Sequence, residues 1–133
     1  MRYVLDTNVI IDLLNLTPST LQHLDKAQKS NNKIVIPSIV NYEIKRGFYY
    51  KPALKKQKGY DYISKNFMLL DIDEKAWDCA ALTWSQLRKQ GITIGEVDLL
   101  IAAQCLAHNY TLVTANTKHF EIIDGLAVVD WTV

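Results

Sequence analysis

The stretch that decides the fold is RYVLDTN, residues 2–8. Its apolar, β-branched start predicts a short strand from Arg2 to Asp6, which places the carboxylate of Asp6 where that strand ends. Similar runs predict further strands at Lys33 to Pro37, Phe67 to Ile72, Thr111 to Ala115 and Ala127 to Asp130. Longer stretches with helical periodicity separate these runs, and this alternation is typical of α/β proteins. We therefore expect a mostly parallel sheet of four to five strands, flanked by helices.

Residues that favour helix ends lie between the predicted strands. Thr17, Ser38 and Asp73 are expected to cap the N-termini of three helices, with Pro18 at the first helical position after Thr17. Gly91 is expected to end the helix that begins after Asp73, and a last helix is predicted from Gly95 to Asn109. No repeat, linker or low-complexity tract interrupts the chain. Residues 1–133 are therefore expected to form one domain.

The composition agrees with a globular domain. The 133 residues are 49% hydrophobic and 22% charged, and their number is close to that of one ordinary domain. No apolar run has the roughly 18 residues that a membrane helix needs, and Asp6 interrupts what would be the apolar part of a signal peptide. We expect a cytoplasmic protein that does not contact membranes. Cys79 and Cys105 lack CxxC spacing, so neither a disulfide framework nor a zinc site is indicated.

Residues 45–65 form a basic segment with a net charge of +6, which leaves −5 for the rest of a chain whose formal net charge is +1. Its cations are Lys45, Arg46, Lys51, Lys55, Lys56, Lys58 and Lys65, against the single carboxylate of Asp61. Among them lie Phe48, Tyr49, Tyr50, Tyr60 and Tyr62. Cations bind phosphates and rings stack on bases, so this mixture fits a single-stranded nucleic-acid surface. A solvated, lysine-rich helix whose tyrosines pack on the core is the alternative.

Four oxygen-bearing side chains are expected at the carboxyl edge of the sheet, where open α/β folds bind ligands: Asp6, Glu43, Asp98 and Asn116. Helical spacing places Asp98 and Glu43 on apolar helix faces. Carboxylates lie on such faces only when they are neutralised, and no cation is expected nearby, because Lys45 and Arg46 should point away from Glu43. An oxygen-ligand set of this kind favours Mg²⁺ or Mn²⁺.

Each of these residues also has an ordinary structural explanation. Asp6 and Asn116 are good helix caps or turn formers, Asp98 complements the positive end of its helix, and Glu43 fits the rim of an amphipathic helix. The three histidines form no nucleophile–base pair with a serine or cysteine. His119, three residues after Asn116, is expected to be a structural loop residue. Phosphate-binding loops of the GxxxxGK[ST] or GxGxxG type are absent from the sequence.

Taken together, four segments resemble the PIN-domain family, and most closely the VapC-type toxins of bacterial toxin–antitoxin modules. They are LDTN, IPSIVNYE, IGEVDLLIAA and TANTKHFEIIDGLAVVDW, in this order over nearly the whole chain. The resemblance implies a small parallel-sheet α/β fold and a Mg²⁺- or Mn²⁺-dependent endoribonuclease. It also implies a VapB-like antitoxin whose tail occupies the active-site groove, and a homodimer. Hydrolysis by water predicts 5′-phosphate and 3′-hydroxyl RNA ends.

By position, Asp6, Glu43 and Asp98 match the acidic triad of that family, and these three are the expected metal ligands. Asn116 stands where many relatives have a fourth aspartate. The resemblance gives supporting roles to Glu96, Thr7 and Thr114, of which the two threonines would orient the carboxylates by hydrogen bonds. The expected RNA-binding residues are Lys45, Arg46, Lys51, Lys55, Lys56 and Lys58.

Other functions fit parts of the pattern. A PIN scaffold without catalytic activity would bind RNA or protein, although the complete acidic triad argues against it. A receiver-like domain also gathers carboxylates around Mg²⁺, but the first strand offers only Asp6, and the last segment, VVDWTV, has no lysine. A nuclease acting on DNA flaps would need helical insertions that a chain of this length does not contain.

Overall fold

The computed structural model describes residues 1–133 and contains one five-stranded sheet. The strands are β1 (Arg2–Leu5), β2 (Lys33–Pro37), β3 (Met68–Leu70), β4 (Thr111–Val113) and β5 (Val128–Val129). Every pair of neighbouring strands is parallel. All five predicted strands are confirmed, although four of them are one to three residues shorter than predicted.

Seven helices connect the strands. They are α1 (Thr7–Leu14), α2 (Pro18–Lys29), α3 (Ser38–Tyr50), α4 (Leu54–Asn66), α5 (Glu74–Lys89), α6 (Glu96–His108) and α7 (Thr117–Phe120). None of them is long and apolar enough to cross a bilayer. The two cysteines are unpaired, as expected.

The strand order is β3-β2-β1-β4-β5, so the chain first builds outward from β1 on one side and then returns to its other side. The direction of winding changes between β1 and β4, and the loops after these two strands diverge there and leave a crevice at the carboxyl edge of the sheet. The register pairs Leu5 with Val113 and therefore brings Asp6 beside Thr114. The amide of Asp6 continues the ladder by donating to the carbonyl of Val113 at 3.0 Å.

The core lies on both faces of the central strands. Val4 and Leu5 of β1 and Val35 and Ile36 of β2 are completely buried, as expected for strands covered by helices on both sides. The apolar face of α6 contributes Ile101, Ala102 and Cys105 to the same core. Burial of these aliphatic side chains contributes roughly 1.5–3 kcal/mol for each large one, which fixes the strand ends that position the polar residues.

Two of the three expected N-cap residues, Thr17 and Asp73, are confirmed by position. The Asp73 carboxylate accepts a hydrogen bond from the Ala76 amide at 2.9 Å, as predicted. Thr17 is the N-cap residue of α2, with Pro18 at the first helical position, although its side chain makes no capping hydrogen bond. Ser38 is the first residue of α3 rather than its cap, and its hydroxyl donates to Asp71 instead. A carboxylate at the neighbouring strand end competes successfully with the helix amides for that hydroxyl.

Candidate active site at the carboxyl edge of the sheet

Asp6 is the most buried carboxylate of the candidate site, with 5% of its surface exposed. It caps α1, because its Oδ1 accepts a hydrogen bond from the Thr7 amide at 2.8 Å. Its Oδ2 accepts from the Thr114 hydroxyl at 2.8 Å and from the Asn8 side-chain amide at 3.1 Å. The capping role expected as an alternative is therefore present, and it leaves the carboxylate held in one orientation at the crevice.

Thr114 and Asn8 join β4 to the start of α1. The Thr114 hydroxyl accepts hydrogen bonds from the Asn8 side-chain amide at 3.2 Å and from the Asn116 backbone amide at 3.1 Å. The side-chain oxygen of Asn8, Oδ1, accepts a hydrogen bond from the Ala115 backbone amide at 3.0 Å. Asn116 thus contributes its backbone to this network. No sequence pattern points to Asn8, since its role depends on the pairing of strands more than a hundred residues apart.

Glu43 lies on α3 with 21% of its side chain exposed. Its Oε1 accepts a hydrogen bond from the Thr7 hydroxyl at 2.7 Å. Thr7 therefore orients Glu43 with its side chain and Asp6 with its backbone amide. Arg46 Nη2 lies 3.6 Å from Glu43 Oε2, and the guanidinium stacks on the Tyr42 ring, 5.1 Å from its centroid. The expectation that Arg46 points away from Glu43 is wrong, because residues three apart are neighbours on a helix surface.

Asp98 projects from the first turn of α6, with 35% of its side chain exposed. His119 Nε2 lies 2.9 Å from its Oδ2. The expectation that His119 is only a structural loop residue is wrong: the helix α7 places its ring at the site, packed edge-on against Phe120 at 5.4 Å between centroids. Glu96, also in the first turn of α6, is exposed and forms no ion pair or side-chain hydrogen bond.

The pKa of Asp6 responds to its burial, to its hydrogen bonds and to the charges of the other two carboxylates. Burial raises the pKa of Asp6 above its ordinary value, hydrogen bonds from Thr114 and Thr7 oppose that rise, and the negative charges of Asp98 and Glu43 add to it. No lysine, arginine or histidine lies within ion-pair distance of Asp6, whereas Glu43 lies beside Arg46 and Asp98 beside His119. A buried carboxylate with two acidic neighbours favours either a proton or a cation.

The donor set fits a hard divalent cation. Asp6, Glu43 and Asp98 offer only carboxylate oxygens, and the neighbouring donors are hydroxyl and amide oxygens. No group of three acidic, histidine or cysteine side chains encloses a metal-sized space as the side chains stand. Glu43 is turned toward Thr7 and Asp98 toward His119, which accounts for the separation. Mg²⁺ keeps several of its waters and needs only one or two direct carboxylates, so a closed cage is not required.

The basic segment reaches the site only in part. Lys51 and Lys56 line a groove between α1, α3 and α4 whose wall also includes Thr7 and Glu43. Lys55 lines the continuation of this groove along α2. Lys45 faces a separate hollow beside Tyr49, and Lys58 is exposed outside both. The structure therefore brings a subset of the six expected RNA-binding residues toward the acidic edge.

The aromatic residues of the basic segment divide into two groups. Tyr60 is buried, donates to the Asn41 side-chain oxygen at 2.8 Å, and has its pKa raised to about 12 by burial. Phe48 packs against Tyr60, with 6.4 Å between ring centroids. These two rings hold α4 on α3 and are not free to stack on bases. Tyr49 and Tyr50 are 88% and 92% exposed.

Fold and site together define a class of protein: compact α/β domains that present carboxylates where parallel strands end. The model of the PIN domain matches residues 3–126. The chain therefore belongs to the PIN-domain family, whose nucleases generally use a divalent metal. This membership replaces the receiver-like alternative considered from the sequence.

Comparison with known proteins shows which members of this family the chain is similar to. Ribonuclease VapC2 of Rickettsia felis is 33% identical over 132 residues, which cover 98% of each chain. The tRNA(fMet)-specific endonuclease VapC of Shigella flexneri is 27% identical over 142 residues, covering 99% of each. Among solved structures, VapBC2 of Rickettsia felis bound to a promoter DNA fragment superposes with a TM-score of 0.90 at 34% identity, covering 98% of this chain and 99% of that one. VapBC-1 of Haemophilus influenzae gives 0.88 at 29% identity over the full length of both.

Proposed function

We propose that this chain is a Mg²⁺- or Mn²⁺-dependent endoribonuclease, the toxin of a VapBC-type toxin–antitoxin pair, and that residues 1–133 act as one nuclease domain. The observation that carries the proposal is the buried Asp6 carboxylate at the crevice between β1 and β4. It lacks a cationic partner and is close enough to Asp98 and Glu43 for their charges to raise its pKa. The VapC ribonucleases that match over nearly their full length support RNA as the substrate.

The acidic residues have separate roles in this proposal. Asp6 and Asp98 would hold the principal cation directly, and Glu43 would bind a second ion or an ordered water. When bound, a divalent ion lowers the pKa of water and neutralises charge that develops on the phosphate. Thr114 fixes the Asp6 carboxylate from β4, and Thr7 fixes Glu43 from α1. Asn116 lies in the same hollow as Asp98. Asn116, and Glu96 two residues before Asp98, would contact water or a second ion.

The chemistry of the RNA ends tests the reaction class. Attack by water on the phosphodiester needs no ribose 2′-hydroxyl, and the leaving group is the 3′-oxygen. We therefore expect 5′-phosphate and 3′-hydroxyl ends from purified protein incubated with RNA and Mg²⁺ or Mn²⁺, and no cleavage after chelation. End-group mapping by ligation and phosphatase treatment reads this directly. Cyclic 2′,3′-phosphates, or cleavage that persists in chelator, would contradict the proposal.

The lysines beside Glu43 are proposed to hold the RNA backbone. Lys51 and Lys56 line the groove that includes Glu43, so they are expected to contact phosphates leading to the site. Changing both to glutamate should lower RNA affinity and reduce the slope of log affinity against log salt by about 1.4, which corresponds to two lost phosphate contacts on a single strand. Binding is measured without divalent ions, so that cleavage does not interfere.

A matched double variant controls for the change in net charge. Lys26 and Lys75 are exposed lysines on α2 and α5, outside the basic segment. Converting both to glutamate alters the net charge by the same amount and should leave the salt slope within error of the original protein. Equal slopes for the two double variants would place the RNA path elsewhere on the surface.

The same groove is the proposed binding surface for the antitoxin tail. Between the site and α4 its floor is apolar, formed by Ile11, Leu14, Ile44 and Phe48, while Lys51 and Lys56 stand at its side. Ile11 is 45% exposed although it is aliphatic, which fits a surface that a partner covers. The solved VapBC complexes support a partner of the VapB type. A peptide seated here would block the route from the lysines to Asp6.

A further inference from the structure

Asp98 is held differently from the other two carboxylates of the site. Asp6 accepts hydrogen bonds from three donors, which fix both of its oxygens. Glu43 lies beside both a hydroxyl and a guanidinium group. The side chain of Asp98 has a single polar partner, His119, whose Nε2 lies 2.9 Å from Oδ2. The orientation of this carboxylate therefore depends on one imidazole.

The helix that carries Asp98 does not fix its side chain. Asp98 is the third residue of α6, after the N-cap residue Gly95. A carboxylate at this position can turn back and accept a hydrogen bond from the backbone amide of the N-cap residue. Asp98 makes no such bond, because its Oδ2 is turned to His119 and its Oδ1 accepts no hydrogen bond within the chain. One oxygen is thus held by the imidazole, and the other is left for a cation.

The segment after β4 brings His119 to this point through its backbone. The Thr114 hydroxyl donates to Asp6 and accepts a hydrogen bond from the Asn116 amide at 3.1 Å. The Asn116 carbonyl accepts in turn from the His119 amide at 3.0 Å. The contact between the His119 ring and Asp98 completes the path. A continuous series of hydrogen-bonded residues therefore joins Asp6 to Asp98 across the crevice.

The neighbouring aromatic residue anchors the imidazole. Phe120 is 1% exposed and belongs to the main core. The His119 ring packs edge-on against it, with an angle of 84° between the ring planes. Edge-to-face contacts of aromatic rings are favourable, so this contact restricts the ring to one orientation. An ionised carboxylate only accepts, so Nε2 is the nitrogen that donates to Asp98.

We propose that His119 is a positioning residue of the nuclease site. It holds Oδ2 of Asp98, leaves Oδ1 for the divalent ion, and sets the position of Asp98 relative to Asp6. Groups that orient the ligands of a metal by hydrogen bonds contribute strongly to metal affinity. This role rests on the proposed function, since it concerns the ion that Asp6 and Asp98 would hold. His119 acts through Asp98 and is not expected to contact RNA.

Two amide side chains of different length test this role. The amide nitrogen of glutamine reaches about as far as Nε2 of histidine, whereas that of asparagine reaches only about as far as Nδ1. His119→Asn should therefore lose the contact with Asp98 and raise the dissociation constant for Mn²⁺ by about tenfold or more. His119→Gln should recover most of the affinity. Both variants lack the imidazole, so the difference between them reports the hydrogen bond. Calorimetric titration of Mn²⁺ into the full chain, without RNA, measures both constants.

Cleavage kinetics distinguish positioning of Asp98 from contact with the substrate. The KM of His119→Asn for RNA at saturating Mn²⁺ should equal that of the wild type, and the loss of rate should be greatest at low Mn²⁺. A raised KM with unchanged Mn²⁺ affinity would make His119 a substrate contact and overturn the proposal. The fold should be unaffected, because 45% of the His119 side chain is exposed, and circular dichroism checks this.

The remaining outcomes separate this inference from the proposed function. Mn²⁺ binding of equal affinity in the wild-type and His119→Asn proteins would overturn the role of His119 and leave the metal centre intact. Equal losses of affinity in the asparagine and glutamine variants would also overturn it, because the donated hydrogen bond would then not be what orients Asp98. A wild-type protein that binds no Mn²⁺ would overturn the metal centre of the proposed function and the role of His119 with it.

Discussion

Replacing Asp98 by asparagine is expected to reduce RNA cleavage by more than roughly 100-fold, since a lost ion forfeits several kcal/mol of charge stabilisation and each 1.4 kcal/mol is a factor of ten in rate. The side chain keeps its size but loses its charge. Because 35% of it is exposed and its one polar contact is to His119, the fold should be unaffected. Initial rates of cleavage at saturating Mn²⁺, with circular dichroism as the check on folding, provide the measurement.

Asp124→Asn is the control for loss of one negative charge. Asp124 is exposed and lies outside the carboxyl edge of the sheet, so this variant should cleave at the original rate. A folded Asp98→Asn protein with normal activity would remove Asp98 from the active site. An equal loss of cleavage rate in both variants would instead indicate a general effect of net charge.

The second large effect concerns the stability of the ion-free protein. The folded protein holds the Asp6 proton more tightly than the unfolded chain, whose aspartate titrates near 3.8. The contribution of Asp6 to stability is therefore complete below that pH. It decreases as the pH rises through the raised pKa of the folded state, because the carboxylate must then ionise while buried. The free energy of unfolding of wild type relative to Asp6→Asn should decrease over this range.

Comparison with Asp6→Asn isolates this effect. Asparagine has one accepting oxygen, so it cannot replace both Asp6 Oδ1, which accepts from the Thr7 amide, and Oδ2, which accepts from Thr114 and Asn8. That loss is independent of pH and appears as a constant offset. Denaturant unfolding at several pH values in the presence of chelator gives the difference in free energy of unfolding between the wild-type and Asp6→Asn proteins. A difference that stays flat, or that increases with pH, would show that burial does not penalise the charged carboxylate.

Divalent ions should restore the stability that the ion-free protein loses at neutral pH. At a Mn²⁺ concentration one hundred times its dissociation constant, the wild-type protein should gain about 2.7 kcal/mol of stability at pH 7.5. The gain should diminish at low pH, where the proton competes for Asp6, and should be absent from the Asp6→Asn protein.

The sequence predicted the strands and the acidic edge because both depend on local patterns. The run that ends at Asp6 is apolar and β-branched, and the end of a parallel strand has a defined location in an α/β fold. The Glu43–Arg46 pair was equally local, since three residues on a helix are neighbours. The prediction that the two side chains point to different faces of the helix is wrong, so Asp6 alone of the three acidic residues has no basic side chain within ion-pair distance.

The other site features that the sequence did not predict depend on long-range packing. Asn8 joins the site through Thr114, and this contact exists only because β1 and β4 pair with Leu5 beside Val113. His119 reaches Asp98 through a four-residue helix that no periodic pattern could indicate. Tyr60 lies within a lysine-rich helix of low hydrophobicity, and its burial follows from the way α4 packs on α3.

Calorimetric titration of Mn²⁺ into the ion-free protein tests most directly whether the three carboxylates capture a divalent cation. We expect saturable binding at pH 7.5 that is lost in Asp6→Asn and in Asp98→Asn but preserved in Asp124→Asn. Absence of heat from the wild-type protein at two temperatures, or binding of equal affinity in the Asp6→Asn protein, would contradict a metal centre at this edge of the sheet.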